Sequence, residues 1–223
     1  MNFAHFSNKM LAALALALTG AMAQAETFSV QLAGRDLGSL TYQGGASPAL
    51  QSSLNNTPLG VFNGTFTATS ESTSAGQQYR GISQSSRKNR DISVLFSEGR
   101  AIDTVITPTS EMTPLSNVAA VPVGVIDPVG AFGQFVGAKG CPAAFRFYDG
   151  RRAILLQPVG QAEVAGQLVC DMSYRVSDGP GHLSPLYIKS ISVNLVYDLA
   201  GGQSLRKLVL SAAGFDLLLM RQG

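Results

Sequence analysis

The sequence predicts a mainly β protein: a curved antiparallel sheet or half-barrel with one short helix packed on it. Three observations carry that expectation. Apolar residues alternate with polar ones along successive segments, as in Ile191, Val193, Leu195 and Tyr197 against Ser190, Ser192 and Asn194. That period marks a strand with one buried face. Breaks rich in Gly, Pro and Asn separate these segments at short intervals. A single stretch, Pro128–Val136, pairs apolar residues at helical spacing with a helix-start signal.

The chain has 223 residues, and its first 25 resemble a secretory signal. Lys9 supplies the positive end, Met10–Leu18 the apolar run, and Ala23-Gln24-Ala25 a small-x-small cleavage site. The run is shorter than the roughly 20 residues of a membrane-spanning helix. The expectation is export to the periplasm with cleavage after Ala25, leaving residues 26–223 as one β-rich domain that is not transmembrane. Charged residues make up 13% of the chain and its net charge is +2. Nothing in that balance points to nucleic acid.

The mature chain opens with Thr27–Leu32, whose Phe28, Val30 and Leu32 alternate with polar residues. Leu37–Tyr42, Ala49–Asn55, Val61–Thr69, Tyr79–Ser85, Asp91–Phe96 and Ala101–Thr107 follow as strands, with Phe62, Phe66 and Ala68 on one face of the fourth. Arg87-Lys88-Asn89-Arg90 falls in the turn before Asp91; such a cluster is usually a solvated turn and alternatively attracts an anionic surface. Pro108, Pro114 and Pro122 mark an extended connection. Asp127 is a suitable N-cap and Pro128 suits the first helical position, where its missing N–H has no partner to lose. Phe132, Phe135 and Val136 form one apolar stripe, while Gly130, Gly133 and Gly137 leave a smooth face for close approach to a sheet. Each glycine weakens an isolated helix by about 1 kcal/mol relative to alanine, so this helix forms only when packed.

Beyond it, Cys141–Leu156 contains Asp149-Gly150 between two alternating runs, the pattern of a hairpin with a type I′ turn. With that two-residue loop, Tyr148 faces Arg151 and Phe147 faces Arg152. Phe145, Phe147, Ile154 and Leu156 then share the core face, with Arg152 at its rim. An arginine so placed buries its stem and finds a carboxylate or carbonyl; alternatively it marks a ligand site. Val164–Val176 is the next strand, with Val164, Leu168, Cys170, Met172, Tyr174 and Val176 on one face. Tyr187–Tyr197, Ser204–Ser211 and Phe215–Met220 complete the chain.

Two cysteines in an exported chain suggest one disulfide, Cys141–Cys170; two buried thiols are the alternative. In a simple meander these residues would sit about 20 Å apart at roughly 3.3 Å per residue. A bridge needs Cα atoms within about 7 Å. Either there is no bridge, or Cys141 folds back from the hairpin, or Val164–Val176 pairs differently. The bridge is favoured here and the meander doubted.

Three features in order resemble a bacterial envelope family, the domain of unknown function 3108: Ile126-Asp127-Pro128 opening a short helix, Cys141 soon after it, and Phe147–Arg152 followed by Cys170 and Tyr174. Family members often continue with another basic and aromatic residue where this chain has Ala153-Ile154. The resemblance implies an exported protein and supplies no activity. By fold-level analogy it implies an architecture similar to lipoprotein carriers, in which a curved sheet wraps a helix and an apolar cavity.

Motifs for catalysis are missing. His182 is the only histidine after the signal, and one histidine makes neither a zinc site nor a triad. There is no Gly-x-Ser-x-Gly, no phosphate loop and no dinucleotide fingerprint. Asp149, Asp171 and Asp178 have no spacing that argues for paired acid–base work. No cofactor or metal is expected. The leading expectation is a non-enzymatic module that binds a lipid or other apolar envelope component. Its candidate ligand contacts are Phe132, Phe135, Val136, Phe145, Phe147 and Arg152, near the turn Asp149-Gly150-Arg151. The second is a structural protein contacting an envelope partner through a sheet edge or Arg87–Arg90. The third is a hydrolase using His182 or carboxylates.

Overall fold

Alternation along the chain becomes fourteen strands in the computed structural model, which describes residues 25–57, 63–85, 88–182 and 186–223. The first seven are β1 (Ala25–Leu32), β2 (Arg35–Gln43), β3 (Ala49–Leu54), β4 (Gly64–Thr73), β5 (Gly76–Ser85), β6 (Asn89–Ser97) and β7 (Arg100–Thr107). The rest are β8 (Val125–Ile126), β9 (Phe145–Tyr148), β10 (Ala153–Val164), β11 (Gln167–Asp178), β12 (Ser190–Asp198), β13 (Ser204–Ala212) and β14 (Phe215–Arg221). The helix α1 spans Pro128–Val136. Val61 and Phe62 of the expected fourth strand lie outside the described residues, as do residues 1–24 of the expected signal and Arg87.

The strands form one sheet in the order β7-β6-β5-β4-β3-β2-β1-β14-β13-β12-β11-β10-β9-β8. Two meanders, β1–β7 and β8–β14, are joined where β1 pairs with β14. Neighbours are antiparallel except β8 and β9, which run parallel. At the far ends the curl almost closes. Gly124 and Val125, leading into β8, donate backbone hydrogen bonds of 2.8 and 3.1 Å to the Gly99 carbonyl in the β6–β7 turn. The result is a barrel-like sheet with a narrow seam.

α1 lies inside the curve. Phe132 packs edge-on against Phe28 of β1 and tilted against Tyr42 of β2. Phe135 meets Phe145 of β9 and its carbonyl accepts from Tyr197 Oη of β12 at 2.9 Å. On the opposite side, Ser70 of β4 donates to Asp127 Oδ2 at 2.8 Å. These strands are spread around the sheet, so the sheet wraps the helix. The cap is as expected: Asp127 Oδ1 accepts from the Val129 and Gly130 amides. The close approach is real at Gly133, where a Cβ would lie 2.7 Å from Tyr42 Oη.

Several expectations need correction. The Asp149-Gly150 hairpin is not a two-residue type I′ loop, because only Gly150 takes positive φ, at +91°. Asp149 Oδ1 instead accepts from both the Arg151 and Arg152 amides at 2.9 Å, closing a loop over Asp149–Arg152. Tyr148 therefore pairs with Ala153 and Phe147 with Ile154. The shift is even, so Phe145, Phe147, Ile154 and Leu156 still share a face, but Arg152 leaves the strand for the loop. Pro108–Pro122 is not simply extended: it holds three single-turn 3₁₀ helices at Thr109–Glu111, Pro114–Ser116 and Val118–Ala120.

Cys141 and Cys170 are bridged, with Cα atoms 5.5 Å apart. The doubt about the meander is overturned, because β9 to β14 follow one another across the sheet. The reconciliation is register. Ala165-Gly166, both at positive φ, form the turn, so β10 runs on to Val164 and Cys170 sits opposite Gln161 rather than near Arg151. Val164 accordingly leaves the apolar face and is 59% exposed. Cys141 reaches the inner face of β11 from the irregular segment after α1.

The bridge closes a loop with a sequence separation of 29. Replacing both cysteines by alanine is expected to cost about 3.6 kcal/mol through loop entropy. It will appear as a lower urea midpoint in equilibrium unfolding; an unchanged midpoint would contradict a structural role for the bridge.

Candidate functional site

The inner side chains leave an apolar cavity of about 290 Å³ between α1 and the strands β1–β3 and β9–β14. Ala131, Phe132 and Phe135 of α1 form one wall; Leu40, Leu156 and Leu210 are among the strand residues opposite. Ser52 and Tyr174 contribute the few polar atoms. Of the residues expected to touch a ligand, Phe132, Phe135 and Phe147 line this space. Val136 and Phe145 are partly buried beside the same core and do not line it.

A smaller cavity of about 210 Å³ adjoins it, sharing Pro128, Phe147 and Tyr174 as wall. Its character is different. Arg90, Asp149 and His182 line it together with Tyr79, Tyr174 and Ser83. A third space of about 330 Å³ is larger than either, but it is a groove along the end of α1 whose Gln134, Lys139 and Ala143 are exposed. It brings no set of reactive side chains together.

The polar cavity is built on the Asp149–Arg152 loop, which is bolted in place from several sides. Tyr148 is fully buried and its hydroxyl bonds the Leu115 and Gly150 carbonyls at 2.7 and 2.8 Å. Burial pushes the Tyr148 hydroxyl up to about 12, so it stays a donor. Ser116 donates to the Gly150 carbonyl and Thr113 to the Arg151 carbonyl. Gly150 lies under β6, where a Cβ would come within 2.4 Å of Ile92 Cγ2. Arg151 Nε donates to the Glu111 carbonyl at 2.6 Å.

Glu111 is the residue that sequence patterns miss. Its carboxylate, 5% exposed, pairs with Lys88 and Arg90, and lies 3.4 Å from Arg151 Nη2. Burial alone would raise its pKa; hydrogen bonds from Lys88 and Arg90 and the charges of Arg90 and Arg151 more than offset that and hold it below the ordinary range. The Arg87–Arg90 cluster is thus not merely a solvated turn: Arg90 is only 22% exposed and inward-directed. No local motif announces this partner, which lies 21 residues away in a 3₁₀ turn.

Arg152, 7% exposed and outside the lining of both cavities, faces two groups. Its Nη1 lies 2.7 Å from His182 Nδ1. Its Nε lies 3.1 Å from Asp149 Oδ2, close enough for an ion pair yet without hydrogen-bond alignment, so this buried N–H has no acceptor. His182 Nε2 in turn lies 2.6 Å from Tyr174 Oη. Guanidinium can only donate, so Nδ1 accepts and Nε2 carries the proton. The ring is neutral, and both nitrogens are occupied. Burial and then the Arg152 charge push His182 down to about 4. Burial also pushes the Tyr174 hydroxyl up. With Nε2–H donating to it, Tyr174 keeps its own O–H free to donate; among the described residues no acceptor for it is present. His182 has no spare lone pair to act as a base. Asp171 lies farther along β11, holding Asn194, and Asp178 ends β11 opposite Ala153, beside the loop but outside the lining of the polar cavity. Among the described residues no group of three or more His, Cys, Asp or Glu is placed to hold a metal ion.

No family model matches the chain, and no curated protein does. Among solved structures it is similar to a beta-barrel-like protein of domain of unknown function DUF1849 from Brucella abortus. The TM-score is 0.51 and the identity 12%, over 89% of this chain and 95% of that one. That likeness is one of fold: a β-barrel-like protein of unknown function. Among the described residues no helix is long and apolar enough to cross a membrane.

His182 gives the site a pH signature. Its folded-state value of about 4 lies below the ordinary 6.5, so as pH falls through that window the unfolded chain takes up a proton that the folded chain refuses. Stability from neutral His182 is intact above 6.5 and lost progressively down to about 4. His182→Asn retains an acceptor for Arg152 without the titration. Across that interval the wild type is expected to lose about 2 kcal/mol more than the variant in urea unfolding. Parallel pH profiles would refute a His182 held neutral in the folded chain.

Proposed function

We propose that this protein is an exported, non-enzymatic binding module that holds a lipid or other apolar envelope component inside its barrel. The observation that carries the reading is the apolar cavity of about 290 Å³ against α1. It sits at the lower end of the roughly 300–1,000 Å³ of small-molecule sites. It is about twice the ~150 Å³ of an apolar cavity that stays dry and binds benzene. A barrel core that packs to crystal density would leave few voids above the size of water, so a space this large among leucines and phenylalanines favours an occupant. The disulfide supports export, since such bridges persist in oxidising compartments. The signal-like N-terminus is consistent with the periplasm, and the motif order supports kinship with the domain of unknown function 3108 family.

Ala131 is buried on α1 and faces the cavity. Ala131→Leu adds three carbons there at little helix cost. The variant is expected to bind Nile red at least about tenfold more weakly than wild type, a loss of ~1.4 kcal/mol. Its thermal midpoint should be unchanged or higher, because the added carbons fill empty space. Undiminished dye binding by a folded Ala131→Leu protein would sink the reading.

A further inference from the structure

The polar cavity beside the apolar one is more than a structural accessory. The two share Pro128, Phe147 and Tyr174 as wall, and Arg90, His182 and Tyr174 line the polar side of it. Charge at that end is unbalanced. Around that end Lys88, Arg90 and Arg151 surround Glu111, and Arg152 faces Asp149, four cations for two carboxylates, of which Arg90 and Asp149 line the cavity itself. His182 adds no charge, being neutral by its hydrogen bonds.

Hydrogen-bond capacity is unbalanced in the same direction. Arg152, more than nine-tenths buried and outside the cavity lining, has an Nε–H that faces Asp149 Oδ2 at 3.1 Å without hydrogen-bond alignment. Unsatisfied buried donors are rare in native proteins and ask for a partner. Tyr174 retains a free O–H next to it. Arg90 commits Nε and Nη2 to Glu111, leaving Nη1. These groups are all donors, and an anion supplies what they lack.

We infer that the polar cavity is a head-group site and that the ligand is a single-chain amphiphile with a carboxylate head, a fatty acid whose chain occupies the apolar cavity. This rests on the apolar-cavity reading above and adds the chemical class of the ligand. The carboxylate would accept from Tyr174 Oη and Arg90 Nη1, the two donors that line the cavity.

The test is calorimetric titration of the full disulfide-bonded chain, stripped of bound lipid, with dodecanoate, dodecanol and dodecyltrimethylammonium. Dodecanoate is expected to bind at least about tenfold more tightly than dodecanol, and the cation more weakly than either. Arg90→Gln leaves Glu111 paired with Lys88 and Arg151, so it should fold; it should reduce dodecanoate affinity to near that of dodecanol and leave dodecanol unchanged. Tyr174→Phe provides the same reading should Arg90→Gln not fold. Equal affinity for dodecanoate and dodecanol in the wild type overturns the head-group assignment while leaving the apolar site standing. Failure of all three probes to bind overturns both. Binding of inorganic phosphate or acetate as tightly as dodecanoate would show an anion site without a chain site, and overturns the amphiphile assignment.

Discussion

A sheet that curls through fourteen strands encloses more space than its own inward side chains fill, and α1 is what occupies it. That constraint organises the molecule. The helix carries Gly130 and Gly133, ends at Gly137 as its C-cap, and is weak alone. Its stability comes from outside: Asp127 caps it while bonded to Ser70 of β4, Tyr197 of β12 donates to the Phe135 carbonyl, and Phe28 and Tyr42 clasp Phe132. In return the helix holds strands together that are far apart in the sheet order. Where its fit is incomplete, the apolar cavity remains.

The second organising contact is Glu111. A buried carboxylate needs several partners to offset desolvation, and it collects them from β6, from the end of the β5–β6 turn and from the Asp149–Arg152 loop. That draws the loop under β6 and fixes Arg152 against His182. The polar end of the interior is therefore a by-product of closing the barrel: the cations that anchor Glu111 outnumber it. Function can exploit such an excess without any further residue being placed for the purpose.

The proposed reading, a carrier rather than a catalyst, rests on how the interior groups are committed. The histidine that could serve as a base is locked as a neutral bridge between Arg152 and Tyr174, with both nitrogens engaged. What the interior offers is enclosure, apolar wall and donors at one end. Those are the elements of recognition by partition and charge rather than of bond making.

Much of this fold was legible locally. Period-two alternation gave the strands, and Asp127-Pro128 with Phe132 and Phe135 gave α1 with its bounds, because capping and amphipathic periodicity are short-range physics. The faces of β9 and β10 survived a register error, since pairing shifted by two residues and a period of two is blind to that. The candidate site was only half legible. Phe132, Phe135 and Phe147 were identifiable as apolar and inward-facing, yet nothing local distinguishes a packed interior from a hollow one. Asp149-Gly150 carried the signal of one turn and formed another, because Asp149 bonds two amides that only the docked loop presents. Glu111 could not be found from spacing, and His182, evident as a lone histidine, gave no sign of its partners: these come from distant turns and a loop brought together by closure. The sequence alone determined the elements, their faces and the helix cap, which depend on neighbours a few residues away. Tertiary structure alone decided the curl, the cavity and the ring of donors, which depend on which strand ends meet when the sheet comes round.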